Sequence, residues 1–521
     1  MTLKRFSNEI REWELLENEG VDPTDSFGVT LKLFIRENKI YLAEPGDLIT
    51  PWITDKGRLF FDGLFKNKTN QTTNWESFLK NILELIYFLD HLNLHKKTSF
   101  FFIAVFDNIS LETLNMLYIL NQNCSFVKLR TVEKNKANLN FENNYQLSLS
   151  IEKPKLNIST LGLLIGTNPR YEGYILNLNL RQRFLKGNFK LLTIGPALDL
   201  TFQVFNLGST ITILKSIGKG VHMTCQDIKN ANFPMFITNM EFHKRSDAKT
   251  LEYILKYINV LSAVWGSLNI LNSNLSFNGI YSINKFLHIS NDDLINFCGL
   301  YSVNASLNSI SKFKNLTQLY LLKNLSTNTT KFQNSFLVNQ SVNSLNNLFY
   351  DKVKLKMLHS YFYLPTNIIY EDNETYFNTQ GIIKRVNKLL NLKKDTKTNW
   401  QLTRKLYSNI NSITFFNNAK DNTLIQFDCI NVFDFKNYFS FQYFSVQTLT
   451  SLSYYLIKQN FLMFKSCKRF FKNIKIKTLN TKIKYWFDDF FNTNGRDFFS
   501  YNSSVLINCS KIIRSSSTNF F

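Results

Sequence analysis

The placement of cysteine, histidine and glycine limits what chemistry this chain could carry. The six cysteines, Cys124, Cys225, Cys298, Cys429, Cys467 and Cys509, are scattered, with none within four residues of another. Iron–sulfur clusters and structural zinc sites need closely spaced thiolates. The spacing therefore favours isolated thiols acting as small hydrophobes. Among the six histidines, His91 and His95 stand four apart, as ligands on one helix face would. No glutamate follows His91 in the H-E-x-x-H arrangement, and no third ligand is evident. They read instead as the end of an exposed helix, where the dipole favours positive charge. What remains is Gly166-Thr167-Asn168-Pro169-Arg170. An apolar run, Leu161 to Ile165, leads into it, and an amphipathic stretch follows. Glycine allows a sharp exit from a strand, and proline suits the first turn of a helix, where an N–H is not needed. Such a loop could direct backbone amides at a phosphate. No G-x-G-x-x-G and no P-loop accompanies it, so the plainer reading is a strand-to-helix turn kept for its shape.

The elements around that loop alternate. Strands are expected at 29–34, 39–42, 99–106, 126–129, 161–165, 190–194, 233–238, 316–322 and 336–338. Helices are expected at 111–120, 171–184 and from Ser246 onward. Thr73-Asn74-Trp75-Glu76 has capping-box spacing ahead of a helical apolar pattern ending at Leu89. Strand–helix alternation implies a parallel sheet covered on both faces. The fold class is thus α/β, doubly wound and mostly parallel, with a small β-rich N-terminal domain. We divide the chain into residues 1–66, 67–262, 263–410 and 411–521. The pattern blurs over 265–350, which reads as loops or insertions rich in Asn and Ser. Beyond 410 the chain is basic and aromatic, with helices expected near 446–473.

A chain of 521 residues is long enough for about three domains. Its 49 Phe against 8 Pro suggest an AT-rich coding bias of organellar type, hence translation inside a mitochondrion. The net charge of +22 raises the question of nucleic acid. Lys and Arg are dispersed, however, and the one dense cluster, Lys465 to Lys477, reads as a solvated helix face or a surface against an acidic partner. The N-terminus has neither a secretory h-region nor the acid-poor character of a transit peptide, and no run of 18 apolar residues could span a bilayer.

Four blocks carry a resemblance. They are Arg11-Glu12-Trp13-Glu14-Leu15 followed by Asp22, Asp25 and Gly28; Trp52-Ile53-Thr54-Asp55-Lys56-Gly57-Arg58 with Phe61-Asp62-Gly63-Leu64; the Gly166–Arg170 loop with Glu172; and Glu374-Thr375-Tyr376-Phe377-Asn378-Thr379-Gln380-Gly381 with Trp400 downstream. In this order they resemble the carboxy-terminal, molybdopterin-oxidoreductase-like part of the large iron–sulfur subunits of respiratory complex I (NADH dehydrogenase). The resemblance covers roughly residues 8–260 and 360–410.

It implies a structural core subunit of the hydrophilic arm, on the matrix side of the inner mitochondrial membrane, that supports electron transfer from NADH to quinone without a redox centre of its own. Gly166, Thr167, Asn168, Pro169 and Arg170 would then be a vestige of a cofactor-binding loop, with no catalytic and no metal-binding residue in the chain. In the family, clusters belong to a domain preceding the matched part. With Arg11 to Leu15 so near the start, the expectation is that a separate cysteine-rich iron–sulfur chain supplies them and docks near residues 1–66, with Trp13, Leu15 and Trp52 as candidate anchors. The strand expected at 316–322 runs into Lys323-Asn324-Leu325, where the family tends to have a glycine-containing loop. A molybdenum or tungsten oxidoreductase is the alternative within the fold, and a basic mitochondrial RNA-binding protein the alternative outside it. The first lacks a metal-ligand motif, and the second rests on charge alone.

Overall fold

A computed structural model describes residues 10–46, 52–64, 100–105, 109–123, 127–131, 153–240, 242, 245, 247–248, 250–251, 254–255, 268–272, 274–282, 287–288, 297–304, 336–341, 360–390, 397–418, 499 and 503–508. In chain order the strands are β1 (Leu16–Val21), β2 (Thr30–Arg36), β3 (Lys39–Pro45), β4 (Phe100–Val105), β5 (Val127–Thr131), β6 (Leu161–Ile165), β7 (Lys190–Ile194), β8 (Phe205–Gly208), β9 (Met235–Asn239), β10 (Leu268–Leu271), β11 (Leu287–His288), β12 (Phe297–Val303), β13 (Phe336–Ser341), β14 (Ser360–Pro365), β15 (Glu374–Phe377) and β16 (Ile383–Val386).

β1, β2 and β3 form a small antiparallel sheet. Along β2 the residues Leu31, Leu33 and Ile35 point inward while their neighbours face out, the period-2 pattern of a sheet buried on one side. The buried face is not closed by this segment alone. Val21, Leu31, Leu33, Phe60 and Leu64 share one core with Ile368, Tyr370, Tyr376, Val386, Leu390 and Phe499. A unit of some 60 residues is too small to bury much surface by itself, and the later segments supply what it lacks.

The two larger sheets are parallel. One runs in the order β10-β9-β6-β7-β8. β6 is buried at every position, as expected for a strand covered on both faces. Leu161, Leu163 and Ile165 pack with Ile211, Leu214 and Ile217 of the helix Ile211–Gly218. Leu164 faces the other way, onto Leu176 and Leu180 of the helix Tyr174–Leu185, together with Phe27 and Val29 from the N-terminal unit. The other sheet runs β11-β5-β4-β12-β13-β14. The helix Leu111–Asn123 connects β4 to β5 and buries Leu111, Leu114, Leu117 and Leu120, one residue per turn. β15 and β16 form a hairpin.

The doubly wound parallel architecture with a small antiparallel unit is as the sequence implies. The details differ in two places. The helix expected over 171–184 is two helices, Pro169–Glu172 and Tyr174–Leu185, broken at Gly173. A Cβ on Gly173 would lie 2.7 Å from the Phe27 ring, so the break lets the N-terminal unit press against the helix start. The blurred stretch after 265 contains β10 and β12, which the pattern did not show, besides β13 at the strand expected at 336–338. Strands from either side of residue 262 share both large sheets. The elements expected at 73–89 and 316–322, and those near 446–473, lie outside the described residues.

Candidate functional site

The Gly166–Arg170 loop leaves the carboxyl end of β6. From β6 the chain moves to β7 and β8 on one side, and β9 and β10 are laid down on the other. This reversal of strand order is where open α/β sheets leave a crevice for ligands. Gly166 has φ +63°, the left-handed region, and its N–H donates to the Ile194 carbonyl at 2.9 Å. Thr167 is fully buried, and its hydroxyl donates to the carbonyls of Ile165 and Ile237 at 3.3 and 3.5 Å, stitching β6 to β9. Asn168 caps the helix that begins at Pro169. Its Oδ1 accepts from the Arg170 amide at 3.2 Å, and its carbonyl accepts from the amides of Tyr171 and Glu172 at 3.2 and 3.0 Å.

That geometry decides what the loop can do. A phosphate at a helix N-terminus is held by first-turn amides. Here Pro169 has none, and the amides of Arg170, Tyr171 and Glu172 are all directed to Asn168. The Arg170 guanidinium donates to Asp199 Oδ2 at 2.8 Å and to the Asp199 carbonyl at 3.1 Å. The Thr201 amide and this guanidinium hold the Asp199 carboxyl below the usual range. Glu172 reaches across the crevice, where its Oε1 accepts from Asn239 Nδ2, at the end of β9, at 3.2 Å. The first-turn amides and the Glu172 carboxylate are thus both engaged within the protein.

Parts of the remaining motif blocks meet in a second place, where the small sheet, the β15–β16 hairpin and the helix Tyr174–Leu185 come together. Asn378 is its hub and is completely buried. Its Nδ2 donates to the Phe27 carbonyl at 2.9 Å, and its Oδ1 accepts from the amides of Gln380 and Ile382 at 3.0 and 2.8 Å. Its own carbonyl accepts from Asn278 Nδ2 at 2.8 Å. The Thr379 amide donates to the Ser26 carbonyl at 3.0 Å. Lys56 Nζ donates to the Thr24 carbonyl at 2.8 Å. The Tyr174 hydroxyl donates to the Trp52 carbonyl at 3.0 Å, which ties the helix after the candidate loop to the second block. At the hairpin's other end, Thr375 donates its amide and hydroxyl to the Glu112 carboxylate at 3.3 and 2.7 Å. Tyr376 donates to Glu374 Oε2 at 2.5 Å. Burial, opposed by that hydrogen bond and reinforced by Asp372 and Glu112, pushes the Glu374 carboxyl up to about 8.

Two links were missed by sequence reasoning. Asp62 Oδ2 accepts from the hydroxyls of Ser503 and Ser504 at 2.9 and 3.2 Å and from the Val505 amide at 3.3 Å. It thereby caps the short helix over 504–508 from the far end of the sequence. Ser503-Ser504 ahead of an apolar run was the available signal, but only for a helix start, not for its partner. Glu112 was legible as a first-turn acid of its helix, not as the acceptor for Thr375. Trp13 and Trp52 are 81% and 60% exposed, and Leu16 beside Leu15 is 69% exposed. Cys225 is half-buried, its thiol 3.5 Å from the Ile217 carbonyl. Among the described residues no three His, Cys, Asp or Glu are grouped to hold a metal, and no helix is long and apolar enough to cross a membrane. His91, His95 and Cys124 lie outside the described residues.

Curated relatives share this sequence pattern. The 75 kDa subunit of NADH-ubiquinone oxidoreductase from Reclinomonas americana is 28% identical over 308 residues, covering 53% of this chain and 43% of its own length. The mitochondrial iron-sulfur protein 1 of NADH dehydrogenase (ubiquinone) from Solanum tuberosum is 26% identical, covering 52% of this chain and 38% of its own. An NADH-quinone oxidoreductase chain from Rickettsia bellii is 24% identical, covering 54% and 42% respectively. The chain therefore spans about two fifths of the length of the curated relatives it matches. The family described as molybdopterin oxidoreductase matches residues 78–409, well over half of the sequence, from the strand before the helix Leu111–Asn123 through the candidate loop and the hairpin to the helix Asn399–Asn418, and the chain belongs to that family.

Proposed function

We propose that this chain is a structural core component of the hydrophilic arm of NADH:ubiquinone oxidoreductase, complex I, and holds no redox centre itself. The observation that carries the reading is the self-capped loop at the switch point. Its first-turn amides are consumed by Asn168, and Glu172 places a carboxylate at the crevice. A catalytic molybdopterin enzyme needs that crevice for an anionic dinucleotide. Gly166, Thr167, Asn168, Pro169 and Arg170 then serve to join β6, β7 and β9. The relatives named above, which belong to NADH dehydrogenases, supply the assembly.

The iron–sulfur clusters sit in a cysteine-rich partner chain that docks near residues 1–66. The absence of closely spaced cysteines supports this, as do the exposed side chains of Trp13 and Trp52, since buried aromatic anchors dominate protein interfaces. The resulting complex lies on the matrix side of the inner mitochondrial membrane, and the coding bias fits synthesis within the organelle.

The experiment is a native-gel separation of mitochondrial membranes, followed by peptide identification and crosslinking in the band that oxidises NADH. The chain should migrate there and crosslink to a cysteine-rich protein through residues 10–64. Elemental and pterin analysis of the chain released from that band should find no stoichiometric iron, molybdenum or tungsten. Absence from the band refutes the assembly, and a bound pterin refutes the structural role.

A further inference from the structure

The loop between β1 and β2 carries two buried carboxylates, and neither the candidate crevice nor the proposed docking face uses them. Asp22 is completely buried and Asp25 is 8% exposed. Asp22 Oδ1 accepts from the amide and hydroxyl of Thr24 at 2.8 and 2.6 Å. Asp25 Oδ1 accepts a long bond, 3.4 Å, from the Phe27 amide. Its Oδ2 is buried without a hydrogen-bond partner, as are the hydroxyls of Ser26 and Thr379, two residues that the Thr379 amide to Ser26 carbonyl bond joins. An ionised carboxylate with one bare oxygen in such a place is costly, while a protonated one is much less so.

The surroundings define the charge balance. Asp22 lies in the same loop, and the helix Asp55–Leu59 contributes Lys56. The helix Tyr174–Leu185 contributes Tyr174, whose hydroxyl burial, and then Asp25 and Asp22, hold neutral and which is committed to the Trp52 carbonyl. From β16, the stem of Lys384 passes beside Gly28. Two acids thus face the joint, with Lys56 the cation that acts on Asp25.

We propose that the buried Asp22–Asp25 pair is a proton-binding joint that fastens the small N-terminal sheet to the β15–β16 hairpin when Asp25 carries a proton and loosens it when Asp25 is ionised. The proton comes from solvent, and no other ligand is needed. Burial, then the neighbouring Asp22, push the Asp25 carboxyl up to about 7, with Lys56 and the amides of Phe27 and Ser26 pulling the other way. The titration therefore falls in the physiological range.

The direction follows from linkage. The closed joint binds the proton more tightly than an opened one, so closure is favoured at low pH. It weakens, by up to about ten-fold per pH unit, as pH rises from about 4 to about 7, and then levels off. The reporter is the Thr379 amide, which donates to Ser26 across the joint. Its hydrogen-exchange protection, corrected for intrinsic rate, is measured in the full chain across that window. In the wild type protection should fall and then level. In Asp25→Asn that component should vanish, leaving the variant better protected than wild type near neutral pH. In Lys56→Gln, with the opposing cation gone, levelling should move to higher pH. A wild-type profile that is flat, or an Asp25→Asn profile with the wild-type slope, overturns the proposal. If Asp25→Asn fails to fold, a Lys56→Gln profile that levels at the wild-type pH overturns it as well.

Discussion

Replacing Asn378 with alanine removes three hydrogen bonds at once from the joint between the hairpin and the N-terminal unit. The Phe27 carbonyl loses its donor in a fully buried setting, which costs about 1–3 kcal/mol. The amides of Gln380 and Ile382 lose their acceptor nearer the surface, where water can partly replace it, at about 0.5–1.5 kcal/mol each. The expected loss is about 3 kcal/mol, a large share of a stability of about 5–15 kcal/mol. Urea unfolding of the full chain measures it as a lower midpoint at unchanged slope. Asn378→Asp makes the test sharper. It keeps an acceptor for the two amides but sets a carboxylate oxygen against the Phe27 carbonyl, so it should be at least as damaging as alanine. If both variants unfold within about 0.5 kcal/mol of wild type, within the range of ordinary surface substitutions, the hub assigned to Asn378 is wrong.

Gly166→Val forces a β-branched residue to φ +63° and should cost at least ~1 kcal/mol. If the chain serves in complex I as proposed, NADH–quinone activity should fall only in step with the amount of assembled complex, and a fully assembled but inactive variant would argue for chemistry at the loop. Asp62→Ala should free the helix over 504–508, at about 1–2 kcal/mol for its lost cap, seen as faster proteolysis near residue 503 with little change at β6. Because the Glu374 carboxyl is raised to about 8 from an ordinary 4.5, the native state holds its proton longer than the unfolded chain. Stability should therefore decline between about pH 4.5 and about pH 8, by at most about 1.4 kcal/mol per pH unit. Glu374→Gln should flatten that decline, and an unchanged thermal-unfolding profile counts against it.

The parallel sheets were legible where strands are continuously apolar, as at Leu161–Ile165 and Leu191–Ile194, because a strand covered on both faces cannot hide its composition. β10 and β12 were not. Asn269 and Ser302 are buried inside them, and polar residues read as loop when only local pattern is available. The break at Gly173 was invisible for a different reason: what forbids a side chain there is Phe27, far away in sequence. The candidate loop was legible as a turn from Gly166 and Pro169. That its amides are spent on Asn168 was not, since a capping asparagine and a phosphate-binding one look alike until the bond is seen. Trp13 and Trp52, singled out from their motif blocks as candidate anchors, face solvent, while Leu15 between them in the same set is half-buried.

The closures that complete the small sheet have a consequence for how the protein is made. The Phe27–Asn378 bond spans 351 residues, and the Asp62–Val505 bond spans 443. A ribosome adding ~5–20 residues per second needs roughly 20–70 s to travel from Phe27 to Asn378. For that interval the inward face of β2 is out of the ribosome with only Phe60, Phe61 and Leu64 to cover it, and without Ile368, Tyr370, Tyr376, Val386 and Leu390. The small sheet is therefore made before the segments that complete it and finishes folding after the sheet built on β6 to β10. A chaperone that shields apolar β-strands should dwell on nascent chains of this protein until about residue 390 has emerged, whereas the sheet built on β6 to β10 can close some 100 residues earlier.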